Sequence, residues 1–342
     1  LSVLSGLVIM RWKREHIPSP LGRERLPSAM RVGVQFVRQS PRMRAVLWRI
    51  SVFFLHATAL MALLPLVAKG LEGGGAGTFT LLLASMGAGA IVAALFLPRL
   101  RQALPRDALV LRGTLVQAAA TGVMAWAPNV YVAVPAMVLA GMAWITTANT
   151  LSVSAQLALP NWVRARGMSI YQMSIMGATA AGAALWGQVA SLTDVQTSLA
   201  VAAVSGGIVM AVVQRLVADR AIEEDLSPSS AFKAPTAPTP PEAGRVVVTI
   251  EYFTHPARAN EFRAVMQESR RSRLRQGALD WQLMHDISNP TRYVERIDDE
   301  SWTEHLRRFD RVTASDVALR ERKLAFHTGD APPKVTRWTV ER

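Results

Sequence analysis

The chain has 342 residues, half of them hydrophobic and 18% charged, with no cysteine; a soluble domain carries about 25% charged residues. Without cysteine there is no disulfide, no thiolate nucleophile and no cysteine-ligated zinc or iron–sulfur site. Residues 1–216 hold 18 Lys+Arg against 5 Asp+Glu and residues 217–342 hold 20 of each, so the whole +13 excess lies in the hydrophobic part; the apolar runs there set aside a nucleic-acid binder and point to a membrane domain with positive loops.

The first apolar run, 1–10, is too short to span a bilayer and ends at Arg11, Lys13 and Arg14. It is expected to be the cut end of a transmembrane helix, since the chain starts with leucine. A signal peptide would carry its positive charges before the apolar run, not after it. Residues 11–45 are expected to form a long basic loop, with nine Lys/Arg between Arg11 and Arg44. Six runs near the bilayer length of about 20 residues follow, at 46–68, 78–98, 108–127, 130–151, 167–190 and 197–216.

The loops between them alternate in charge. Lys69 is the one basic residue of the first, Arg99, Arg101 and Arg106 occupy the second, Pro128-Asn129 is uncharged, Arg164 and Arg166 follow, Asp194 stands alone, and Arg215 and Arg220 close the series. Positive charge collects on the cytoplasmic side, so the basic loops and the C-terminus are expected there, in a multi-pass protein of a bacterial-type inner (plasma) membrane. Glycines at 87, 89, 141, 177, 182, 187, 206 and 207 suit close helix packing or positions where helices slide or bend.

Residues 217–244 form a Pro-rich linker, expected to be extended and without a core. Residues 245–342 are a compact soluble domain. Strands are expected at 245–253, 278–287, 291–297 and 335–340, and helices at 255–276, from a capping box at Ser301-Trp-Thr-Glu304, and at 313–326. The order β-α-β-β-α-α-β suggests a small α+β ferredoxin-like domain.

Several segments carry a family resemblance. Phe36-Val-Arg-Gln-Ser-Pro-Arg-Met-Arg44, Ala62-Leu-Leu-Pro-Leu-Val-Ala68, Gly141-Met-Ala-Trp144 and Leu159-Pro-Asn-Trp-Val-Arg-Ala-Arg-Gly-Met-Ser169 resemble the major facilitator superfamily, in the branch of enterobactin exporter-like and transmembrane secretion effector proteins. The resemblance implies an all-α membrane bundle forming the C-terminal half of a twelve-helix transporter, with the six runs as its helices seven to twelve. The superfamily's loop motif between helices eight and nine is reduced to Arg99, Arg101, Arg106 and Asp107. Ser301-Trp-Thr-Glu-His-Leu-Arg-Arg-Phe-Asp-Arg-Val-Thr-Ala-Ser-Asp316 resembles antibiotic-biosynthesis-monooxygenase (ABM-type) domains, which implies dimer formation through the tail and raises the question of cofactor-independent oxidation.

Ionisable groups inside a span are costly and therefore functional candidates. His56 is the histidine of the membrane part, a candidate proton carrier or an interhelical hydrogen-bonding group. Gln117, Trp144, Asn149, Gln172 and Gln188 are candidates to line a substrate cavity, with interhelical bonding as the alternative. Arg49 and Arg112, with the loop arginines Arg99, Arg101, Arg106, Arg164 and Arg166, are candidates for a cytoplasmic gate or for lipid contacts. In the tail, Trp281, His285, Tyr293, Trp302 and His305 are candidate pocket residues. No metal-ligand spacing and no phosphate-binding loop is present, so no metal, cofactor or catalytic group is expected. The expected function is secondary export of small organic molecules by alternating access, with lipid, substrate, a coupling ion (H+ the candidate) and a second copy as partners and no nucleic acid. The alternative is a membrane-tethered monooxygenase-like enzyme or sensor.

Overall fold

The computed structural model describes residues 2–11, 20–71, 74–218, 224–237 and 244–341. The loop charges Lys13, Arg14 and Arg220 and linker residues 238–243 lie outside the described residues. A short helix, α1 (Ser2–Arg11), precedes α2 (Leu26–Gln39) and six long helices: α3 (Pro41–Gly70), α4 (Ala76–Ala103), α5 (Arg106–Ala125), α6 (Val130–Leu157), α7 (Arg164–Leu192) and α8 (Val195–Ala218). Those six are the apolar runs, each long and apolar enough to cross a membrane. Helices α3 and α6 start where capping groups stand. The Ser40 hydroxyl accepts from the Met43 N–H at 3.3 Å, with Pro41 in the first turn, and Asn129 Oδ1 accepts from the Val132 N–H at 3.3 Å.

Helix α6 packs on α4 and α5, α3 on α7 and α8, and α5 on α8. Small residues bring α4 and α6 close. A Cβ at Gly89 would stand 2.0 Å from the Val138 carbonyl oxygen, and one at Gly141 1.9 Å from that of Met86. Leu95, Ile91, Met173 and Val204 point outward, as they can where lipid and not water surrounds the bundle.

The expected basic loop 11–45 is not a loop throughout, because residues 26–39 form the amphipathic helix α2. Its buried side is Ala29, Val32, Gly33, Phe36 and Val37, while Arg38 points away. That spacing gives one apolar stripe, which α2 presses against α7 and against the first long helix of the tail.

The tail contains β1 (Val246–Phe253), a one-turn 3-10 helix, α9 (Ala259–Arg275), β2 (Asp280–His285), β3 (Arg292–Asp299), α10 (Trp302–Asp310), α11 (Ala314–Leu324) and β4 (Val335–Thr339). Its four strands form one antiparallel sheet in the order β2-β3-β1-β4. Gly277 ends α9 with a φ of +113°, a conformation that costs glycine little. The Ser301 hydroxyl caps α10 through the Glu304 N–H, but the Glu304 carboxylate turns to Arg307 and Arg311 instead of closing the box. The reciprocal box forms one helix later, between Thr313 and Asp316.

The linker is also more than a free tether. Residues 224–237 run extended along the α10–α11 junction, where the Ser229 N–H donates to Val312 O at 3.0 Å and the Ala314 N–H to Ser227 O at 3.0 Å. Proline leaves fewer backbone donors to satisfy, and the Ser227 and Ala231 N–H groups are met inside the segment by Asp225 Oδ1 and the Ser229 hydroxyl.

Candidate functional site

Two sites take shape in the bundle. The first is interior. Phe53, His56 and Ala57 from α3, Thr114, Gln117 and Thr121 from α5, and Ala203 and Gly206 from α8 line a small cavity of about 10 Å³, close to the smallest volume that holds one water. His56 Nδ1 lies 2.8 Å from the Val52 carbonyl, and its ring is 5.7 Å from Trp186. The backbone of Gly206 leaves room for the His56 ring. Gln117 is 3% exposed, and neither its Oε1 nor its Nε2 has a hydrogen-bond partner among the described residues. Thr114 and Thr121 spend their hydroxyls on the carbonyls one turn back. The cavity therefore offers one histidine ring face and one unengaged amide.

The second site is the charged end of the bundle. Arg49 on α3 is 7% exposed and forms a two-pronged bond to Asp107 on α5, at 2.8 and 3.3 Å. Gln214 on α8 donates to the Asp107 carbonyl at 3.2 Å. Three helix ends are thus tied at one residue. Arg101 on α4 donates to Asn149 Oδ1 on α6, Arg99 stands over the Phe96 ring, and Arg106 and Arg112 are exposed. Arg166, at the start of α7, pairs with Glu24, while Arg164 is exposed.

Of the expected cavity residues, the structure brings His56 and Gln117 together. Trp144 stands one layer away, edge-on to Phe53 and Phe54 with ring centroids 5.9 and 5.0 Å apart. Asn149 is drawn to the charged end by Arg101, and Gln172 and Gln188 lie exposed on α7, whose outer side has no neighbour among the described residues. Phe53, Thr114 and Thr121 were not singled out from sequence. Their signal is spacing, since each stands three or four residues from His56 or Gln117. Asp107 was singled out only as a motif remnant, not as the partner of Arg49.

In the tail, the buried face of β3 carries Tyr293, Glu295, Ile297 and Asp299. Glu295 is fully buried and accepts from Trp281 Nε1 and the Ser269 hydroxyl, each at 2.8 Å, and from the Tyr252 hydroxyl at 3.2 Å. Lys323 Nζ stands 3.3 Å away. Burial alone would raise this carboxyl, but Lys323, Arg273 and the hydrogen bonds outweigh it and hold it well below the glutamate range. Burial pulls the Lys323 ammonium down to about 8. Asp299 accepts two bonds from Arg308, at 2.9 and 2.8 Å, and faces His305 Nδ1 at 2.7 Å. Arg337 Nε donates to His305 Nε2 at 3.2 Å. Nε2 therefore carries the lone pair and Nδ1 the proton, and burial lowers the ring below its ordinary value.

Of the expected tail-pocket residues, only His305 lines the large tail cavity, of about 460 Å³. Trp281 is spent on Glu295. His285 stacks on Tyr293 at 4.3 Å in an exposed position, and Trp302 leans on His305 at 5.4 Å. No cluster of three metal-ligating side chains occurs among the described residues.

Six packed apolar helices, one small interior cavity and one charged end mark a multi-pass membrane protein, and its family match is of the major-facilitator kind. The family of transmembrane secretion effectors matches residues 1–342, and the chain belongs to that family. Among solved structures it is similar to the Escherichia coli fucose:proton symporter FucP, with a TM-score of 0.51 and 16% identity over 63% of this chain and 52% of that one. At that identity the likeness concerns the fold, and the chain spans about half the symporter's length. No curated protein matches the chain.

Proposed function

We propose that the chain forms the C-terminal half-bundle of a secondary exporter for small, partly apolar organic molecules of drug or siderophore type, working by alternating access with H+ as the coupling ion. The observation that carries this is the His56–Gln117 cavity. A buried amide without partners costs about 1–3 kcal/mol, and polar groups inside membrane helices mark substrate and ion paths. Gln172 and Gln188, on the unpartnered side of α7, would face the other half-bundle across the substrate path, with Trp144 supporting the His56 wall. The basic ends and the tail lie on the cytoplasmic side of a bacterial-type inner membrane, where Arg49 and Asp107 form the gate and Arg99, Arg106, Arg112 and Arg164 meet lipid phosphate.

The tail is an ABM-type, ferredoxin-like domain in this reading. The strand order β2-β3-β1-β4 supports it, with an α-helix between β1 and β2 and helices between β3 and β4. It regulates the bundle and pairs with a second copy, for which the exposed Trp338 on the outer sheet face offers an anchor. The rival reading, a tethered monooxygenase, has the large tail cavity in its favour. Against it, both nitrogens of His305 are engaged, which leaves no ring atom to take a substrate proton.

The test is efflux from a transporter-deficient host expressing the complete gene, with inside-out vesicles reporting proton movement. His56→Ala is expected to flatten the pH dependence of efflux while the protein still reaches the membrane. Efflux with unchanged pH dependence would make His56 a packing residue, and absence of any transport would sink the exporter reading.

A further inference from the structure

One large space in the tail is not used by the exporter reading. It lies between the inner face of the sheet, helices α9–α11 and the docked segment 224–237. Its volume, about 460 Å³, is in the range of small-molecule sites, roughly 300–1,000 Å³. Val248, Ile250 and Leu319 supply apolar wall, and the rings of Phe232 and Phe309 supply flat surface.

The charge on this wall is one-sided. Arg273, Arg308 and Lys323 are answered by Glu295 and Asp299 just behind the lining. Lys233, Arg320 and Arg337 line the same space without an ion pair among the described residues. Arg320 lies over the Phe232 ring at 5.0 Å, and Arg337 is steadied through its bond to the neutral His305. The lining carboxylate Asp316 is taken by Ser272 and Thr313. Arg308, buried, has an Nε–H with no partner. Cations gathered in a concave, partly desolvated space focus a positive field, and guanidinium pairs strongly with carboxylate.

We propose that this tail cavity binds a small organic anion with a flat apolar body, its acid group between Arg320 and Arg337 and its body against Phe232, Phe309 and the sheet. The cavity's aromatic walls are wasted on inorganic phosphate. The site is independent of the transport path, so it stands or falls apart from the exporter reading.

The test uses the purified full chain and isothermal titration with naphthoate and its neutral counterpart naphthamide. Naphthoate is expected to bind saturably and naphthamide about tenfold or more weakly, the size of one charge-assisted contact. The Arg320→Gln/Arg337→Gln variant is expected to lose that discrimination and to leave naphthamide binding unchanged. Arg322→Gln, on the same helix but paired outward with Glu268, is expected to behave as wild type. Equal affinity for the two probes, absence of saturable naphthoate binding, or equal weakening by Arg322→Gln would overturn the site.

Discussion

Glu295 and Arg49 are both buried charges, yet their partners make them differ in weight. Glu295 has no solvent to fall back on, and Lys323 and Arg273 are its counter-ions. Glu295→Gln leaves the buried Lys323 and the half-buried Arg273 without that anion, and a broken buried pair costs roughly 3–5 kcal/mol. A chemical-denaturation curve of the chain should move by that amount; a shift near zero would mean that water reaches the network. The carboxyl is lower in the folded state than its ordinary value of 4.5, so its contribution is full above that value. It should be lost as pH falls below, with wild type acid-sensitive and Glu295→Gln less so. Arg49 pairs with an Asp107 that is half exposed. Water screens that carboxylate, so a double-mutant cycle of Arg49→Gln and Asp107→Asn should give a coupling of at most about 1 kcal/mol. A much larger value would mean that lipid or protein covers Asp107. The strand was legible over 291–297, two residues short of Asp299. That its acids face inward was not, because their cations come from α9, α10 and α11, and only folding brings these together.

Helices were the most legible elements and their neighbours the least. A run of apolar residues at bilayer length needs no partner to be recognised, so all six long helices stand in the sequence. Helix α2 was hidden because its apolar stripe is short and its arginines dominate the charge count, though Ala29, Val32, Phe36 and Val37 repeat at helical spacing. The small residues divide for the same reason. Gly141 touches the Met86 carbonyl, whereas an added Cβ at Gly187 meets nothing, and which case applies depends on the facing helix. Gly141→Ala should push α4 from α6 and cost roughly 1–3 kcal/mol, the usual penalty of overpacking. Gly187→Ala should be neutral or slightly stabilising, since alanine favours helix. Thermal unfolding in detergent would compare the two, and equal effects would refute the α4–α6 contact.

At the scale of the whole molecule, the tail is held to the bundle through Glu24. This carboxylate pairs with Arg166 at the start of α7 and accepts from Arg311 of the tail at 2.9 Å. Arg311 also lies over the Trp162 ring at 5.1 Å. Helix α2 adds Arg31 to Glu300 at 2.9 Å and Gln35 to the Ala278 carbonyl at 2.7 Å. A tail fixed in this way must follow any tilt of α7, whereas one hanging from a loose proline tether would not feel it. Glu24→Gln removes the anion between two guanidiniums, and charge-assisted bonds of this kind are worth about 1.5–3 kcal/mol. Hydrogen exchange should therefore quicken about tenfold or more in Leu26–Gln39 and Trp302–Asp310, while the centre of α6 stays protected. Glu300→Gln should act in the same direction and more weakly, since both partners of that pair are about one-third exposed. Unchanged exchange in both segments would mean that apolar packing of Val32 and Phe36 alone holds the tail. The bundle and the tail would then be mechanically coupled through α2 and not through charge.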